Sequence, residues 1–260
     1  MIAVQKPYPT DAYALLAWQV EAGITSAEEA TPQRVIRETK QATSQPQAPS
    51  HKPQAASSIA SIVAEARALA DAATTLAQLE AAVRGFSGCS LKKTATNTVF
   101  AQGVAESRLM FIGEAPGADE DRQGVPFCGV SGQLLDVMLS FIGRTRSENF
   151  YITNTLFWRP PGNRQPTAEE LEICRPFVEK HIALVNPKVL VLVGGTATKA
   201  ILNETRGITR LRGQVFTYKN SYMPAEVPVH VIYHPSYLLR QPMAKKQAWA
   251  DLLALKAAIS

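Results

Sequence analysis

Hydrophobic and polar positions along this chain repeat with two different periods, and the switch between them marks its elements. Four short apolar runs, at 109–112, 150–153, 189–193 and 229–233, have the length of strands, and the last two are rich in β-branched residues. Between and after them, residues 132–142, 168–185, 196–202 and 245–259 carry apolar positions at helical spacing. Strand followed by helix, repeated, predicts an α/β fold with a parallel sheet. In such sheets ligands sit beyond the carboxyl ends of the strands.

The N-terminal third follows other patterns. Residues 11–22 place Tyr13, Leu16 and Val20 on one stripe behind Asp11, a capping residue, and predict a short amphipathic helix within a segment 1–24. Residues 25–58 are rich in Gln, Pro, Ser, Thr and Ala with almost no large apolar side chain, the composition of a disordered linker. Residues 59–72 and 76–85 predict two Ala-rich helices leading into the main domain, the second closed by Gly85 in a left-handed cap. The main domain is expected over 86–260.

Charge sharpens this division. Residues 1–85 hold seven basic and eight acidic side chains, whereas residues 86–260 hold twenty and fourteen, so the positive excess belongs to the main domain and favours a polyanionic partner. No run of eighteen apolar residues and no basic-then-apolar leader is present, so neither a membrane span nor a secretory signal is expected. Three widely spaced cysteines, Cys89, Cys128 and Cys174, make no disulfide framework and suit a cytoplasmic protein with reduced thiols.

The segments following the strands carry the candidate chemistry. After the first comes Gly113-Glu-Ala-Pro-Gly117, then an acidic run Asp119-Glu-Asp121, then Pro126-Phe-Cys-Gly129 and Ser131-Gly132. Glycine and proline at this density build a rigid loop that backbone amides can turn toward a ligand, and the loop runs into a helix N-terminus. It matches neither a dinucleotide nor a Walker loop. After the second strand comes Asn154, whose amide both donates and accepts; after the third come Gly194 and Gly195; after the fourth comes His234-Pro-Ser-Tyr-Leu-Leu-Arg240. One shared cleft is predicted.

Taken in order, Gly113-Glu-Ala-Pro-Gly117, Pro126-Phe127, Gly132-Gln-Leu-Leu135, Tyr151-Ile-Thr-Asn154, Arg159-Pro-Pro-Gly-Asn-Arg164, Arg212-Gly213 and 234–242 resemble family 4 of the uracil-DNA glycosylases, from about residue 89 to 259. The resemblance implies a three-layer α/β/α fold around a central, mostly parallel four-stranded sheet, preceded by a helical and disordered extension. It implies a monofunctional glycosylase that flips uracil from single- or double-stranded DNA and hydrolyses its N-glycosidic bond to start base-excision repair. Phe127 would stack on the base, Asn154 would read its edge, and Ala115 and Gly117 would line the pocket. His234 would hydrogen-bond O2 of the leaving uracil anion. In the best-known glycosylase family an aspartate at the position of Ala115 activates water; here Glu114 is the adjacent carboxylate and the candidate base.

For the DNA itself, the resemblance implies phosphate contacts from Ser131, Gly195, Thr196, Arg212 and Ser236, with Tyr237, Leu238 and Arg240 filling the gap left by the flipped nucleotide. Arg159 and Arg164 are further candidates. Most members of the family hold a [4Fe–4S] cluster on four cysteines. Cys89 and Cys174 match two ligand positions, but Phe86 and Trp158 occupy the other two, so no cofactor or metal is expected. Two other readings stay open: a module that binds uracil or abasic DNA without cleaving it, and a glycosylase for another deaminated base such as hypoxanthine. The chain is expected to act as a monomer, away from membranes, with the N-terminal helix available to a protein partner.

Overall fold

The computed structural model describes residues 53–259, so the expected amphipathic helix and residues 25–52 of the expected linker lie outside the described residues. The chain enters through α1 (Pro53–Ala72) and α2 (Leu76–Gly85). Thr75 caps α2 through its side chain, which accepts the Gln78 N–H at 3.2 Å. Two expectations change here. Helix α1 begins at Pro53, inside the stretch read as linker, and Gly85 is the last helical residue of α2, the chain leaving through an extended Phe86 (φ −65°) rather than a left-handed glycine.

The sheet is built from β1 (Ala101–Gly103), β2 (Leu109–Gly113), β3 (Tyr151–Asn154), β4 (Val189–Val193), β5 (Val215–Tyr218) and β6 (Val227–Ile232), in the order β1-β3-β2-β4-β6-β5. Its four central strands are parallel and are the four expected from sequence; β1 and β5 add antiparallel edges. Helices α3 (Ala118–Gln123) and α4 (Val130–Ser140) separate β2 from β3. Helix α5 (Ala168–Val185) leads to β4, and α6 (Gly195–Leu202) and α7 (Ile208–Leu211) lead to β5. Helices α8 (Pro235–Arg240) and α9 (Lys245–Ala258) close the fold.

Alternation along each strand divides the core between two faces. Met110, Ile112, Leu190, Leu192, Val229 and Val231 point to the face that α1, α2 and α5 cover with Ala66, Leu79, Val83 and Phe177. Leu109, Phe111, Ile152, Val191 and Ile232 point the other way, onto Leu135 and Leu139 of α4 and Leu252 and Leu255 of α9. Each large aliphatic side chain so buried contributes about 1.5–3 kcal/mol, so both helical layers are bound firmly. Helices α1 and α2 therefore belong to the same core as the sheet; with α5 they form one of its three layers.

Candidate active-site cleft

A cleft of about 670 Å³ opens beyond the carboxyl ends of the parallel strands and gathers the segments that follow β2, β3, β4 and β6. It is lined by Glu114, Ala115 and Gly117, by Phe127 and Ser131, by Asn154, by Gly195 and Thr196, and by His234, Ser236, Tyr237 and Arg240. Residues spread over more than a hundred positions of sequence thus meet in one place.

Gly113 makes the innermost contact possible. It ends β2 opposite Asn154 of β3, and a Cβ built on it would lie 2.3 Å from Phe127 Cζ and 2.5 Å from Asn154 Oδ1. Only a bare Cα lets the ring and the amide close over this spot. Phe127 is 5 % exposed and Asn154 is 2 % exposed, and both line the cleft. Phe127 itself has a left-handed backbone, φ 54°, which is uncommon for an aromatic residue and marks a constrained turn.

The loop carrying Phe127 is held by the acidic run. Glu120 accepts the N–H of Gly117 at 3.1 Å and the N–H of Gly129 at 2.9 Å, tying the two ends of the loop to one carboxylate. Asp121, buried, accepts the N–H groups of Thr96 and Asn97 at 2.8 and 3.1 Å. Asp119 pairs with Arg122. These carboxylates organise backbone, and among the described residues no group of three or more His, Cys, Asp or Glu is placed to hold a metal ion.

His234 caps the N-terminus of α8. Its Nδ1 accepts the Ser236 N–H at 3.2 Å and lies 2.8 Å from Ser236 Oγ. An acceptor at Nδ1 leaves the proton on Nε2. Burial, reinforced by the positive charge of Arg240, lowers the imidazole to about 4, so the ring is neutral at ordinary pH. Its centroid lies 5.7 Å from that of Phe127. Gly194, φ 94°, passes so close that a Cβ there would sit 2.9 Å from His234 Cβ.

Two residues expected at the DNA surface are placed elsewhere. Leu238 is fully buried and packs in the core beneath α8, while its neighbour Leu239 is 44 % exposed; the helical turn sends the two side chains in different directions. Arg212 does not line the cleft: its guanidinium is paired with Asp251 of α9, donates to Gln247 O at 2.9 Å and lies over the Tyr233 ring. Arg164 reaches the cleft edge but is anchored by two bonds to Glu170, at 2.9 and 2.6 Å, and Arg159, itself outside the lining, donates to Asn163. Sequence reasoning missed Lys199 and Asn163, which line the cleft. Lys199 sits three residues after Thr196, one helical turn on, and that spacing was the available signal.

The residues around Cys89 do not fit a four-thiolate cluster. Cys89 and Cys174 are fully buried, and the influence of each thiol on the other draws Cys89 down and pushes Cys174 up. The other two positions are filled by rings. Phe86 packs edge-on against Phe177 at 5.2 Å, so tightly that a Cβ on Gly88 would meet its Cζ at 2.5 Å. Trp158, 1 % exposed, donates its indole N–H to Thr98 Oγ1 at 3.0 Å. Carbon occupies the space, and two sulfurs are half the required donor set.

Residues 100–253 match the model of the uracil DNA glycosylase superfamily. The chain is 41 % identical to the type-4 uracil-DNA glycosylase of Archaeoglobus fulgidus over 167 residues, covering 63 % of this chain and 82 % of that one. It is 38 % identical to the type-4 enzyme of Thermotoga maritima, over 61 % of this chain and 80 % of the relative. It is 34 % identical to that of Pyrobaculum aerophilum, over 68 % and 91 %.

Proposed function

Because the chain belongs to the uracil-DNA glycosylase superfamily, a family of glycosyl hydrolases, we propose that it excises uracil from DNA by hydrolysing the bond between base and deoxyribose. The observation that carries this reading is the convergence of a stacking ring, an edge-reading amide and a neutral imidazole in one cleft, at Phe127, Asn154 and His234.

Uracil extruded from the helix stacks on Phe127, and Asn154 accepts from N3–H and donates to O4. As N1–C1′ breaks, its electron pair passes to the base, and His234 donates from Nε2 to the negative charge developing on O2. A neutral donor suits this role, since it stabilises the anion without being consumed as an acid. Water then bonds to C1′, and Glu114 takes its proton. Ser131, Gly195, Thr196 and Ser236 at the rim, with Tyr237 and Arg240, contact the backbone around the extruded nucleotide. The enzyme works as a cytoplasmic monomer without a metal cofactor, Phe86 and Trp158 supplying the packing.

A labelled oligonucleotide with one uracil, incubated with protein in EDTA and then treated with alkali, tests the reading. Cleavage at the uracil is expected. Retention of the oligonucleotide without cleavage would make the protein a binding module, and cleavage only at hypoxanthine would change the base. Glu114→Gln retaining full single-turnover activity would remove Glu114 from its role.

A further inference from the structure

Arg146 lies in the turn between α4 and β3 and takes no part in the cleft lining. It is nevertheless among the most fully engaged side chains in the molecule. Nε donates to Asp136 Oδ1 at 2.7 Å, Nη1 donates to Gln102 Oε1 at 2.8 Å and to Pro126 O at 2.6 Å, and Nη2 donates to Phe127 O. Its side chain is 15 % exposed. Two of these acceptors are consecutive carbonyls of the pocket loop, and the second belongs to the residue whose backbone is left-handed.

A left-handed conformation is costly for a non-glycine residue and persists only where its surroundings over-determine it. At Phe127 the surroundings act from two sides. Glu120 holds the amides of Gly117 and Gly129, and Arg146 holds the carbonyls of Pro126 and Phe127. The Phe127 carbonyl also rests on Gly132, where an added Cβ would lie 1.7 Å away, so the loop cannot relax toward α4. Asp136, projecting from α4, orients the guanidinium; burial pushes its carboxyl up and Arg146 opposes that shift.

We infer that Arg146 is a positioning residue for base stacking: without touching substrate, its guanidinium fixes the Pro126–Phe127 backbone in the turn that lays the Phe127 ring over Gly113. This rests on the reading of Phe127 as the stacking ring. A planar fork serving Asp136 and two carbonyls at once is a geometry that lysine, a point donor, does not reproduce.

The test combines amide hydrogen exchange with single-turnover kinetics on Arg146→Ala and Arg146→Lys, each checked by thermal melting. Exchange at 125–132 is expected to accelerate in both variants while α5 stays protected. Excision by Arg146→Ala is expected to slow on the order of 10- to 100-fold, as misplacement of a positioning group does, with Arg146→Lys intermediate. In a Phe127→Ala background the further loss on removing Arg146 is expected to shrink to about threefold or less, the non-additivity of residues acting through one another. Unchanged exchange at 125–132 in a folded variant, or losses that multiply in the double variant, would overturn the inference. A wild-type protein inactive on uracil would instead overturn the proposed function, and the exchange comparison would still decide the role of Arg146 in the loop. If Arg146→Ala does not fold, Arg146→Lys decides the question alone.

Discussion

His234 Nδ1 accepts the backbone N–H of Ser236 at 3.2 Å, and this one bond determines which ring nitrogen carries the proton. On the proposed mechanism this cap does two jobs: the same acceptor that satisfies a free N–H at the start of α8 fixes the Nε2–H tautomer of the proposed donor.

The pH profile of excision follows from it. With the imidazole lowered to about 4 by burial, His234 stays neutral from pH 8 down to about 5, and single-turnover rates are expected to show no limb from this group until the pH approaches 4. An acid limb centred near 6.5 that disappeared in His234→Gln would refute the neutral-donor reading. His234→Gln itself is expected to lose about 10²–10³-fold, the usual cost of one donor to a developing anion.

The same burial links stability to pH. His181, fully buried against Phe100 and Phe157 and bonded to Tyr151 Oη at 3.0 Å, is lowered to about 3, and His230 is lowered in the same direction by burial. A histidine whose folded value lies below its unfolded one binds its proton more readily when unfolded. Its stabilisation is therefore complete above pH ~6.5 and declines as pH falls toward the folded value. At pH 5 His181 and His234 are each expected to have lost about 2 kcal/mol. Urea denaturation at pH 7 and pH 5 measures this, and His181→Phe is expected to make the dependence markedly shallower. Equal midpoints at the two pH values would show that these rings are charged in the folded protein.

The ring-filled site near Cys89 predicts indifference to metal. Chelator treatment is expected to leave the melting temperature and excision rate unchanged, whereas Trp158→Ala is expected to cost about 3–5 kcal/mol, as removal of a fully buried indole does. About four irons per chain with absorbance near 400 nm would refute the apolar filling.

How much of this was legible in the sequence depended on how local each cause was. The four parallel strands were readable because each is an apolar run with its own ends, and α5 was readable residue for residue because Thr167 and Glu170 form a reciprocal cap. Strands β1 and β5 were not, since three or four half-exposed residues gain their order from a neighbouring strand. That Glu114, Phe127, Asn154 and His234 would line one cleft was legible because glycines and strand ends announce them, whereas the roles expected of them came from the family resemblance. The clamp by Arg146 on Phe127 was hidden: it spans 19 residues, and nothing in a lone arginine announces which carbonyls it will meet. What the acidic run holds was hidden as well, and only the amides of Gly117, Gly129, Thr96 and Asn97 show it.

Arg212 and Arg240 provide the sharpest contrast between an arginine held by one of the protein's own carboxylates and one that lines the cleft. Arg212 is engaged by Asp251, which is 4 % exposed, and its removal leaves that carboxylate buried beside a lost partner. Arg212→Ala is therefore expected to destabilise the fold by about 3 kcal/mol while leaving the salt dependence of DNA binding unchanged. Arg240 lies on the cleft rim. Arg240→Ala is expected to melt like the wild type but to weaken binding to every DNA sequence and reduce the slope of log K against log salt by about 1. Thermal melts paired with salt titrations of binding to an abasic-site oligonucleotide separate the two. A reduced salt slope in Arg212→Ala at full stability would mean that the arginine leaves Asp251 for phosphate when DNA arrives.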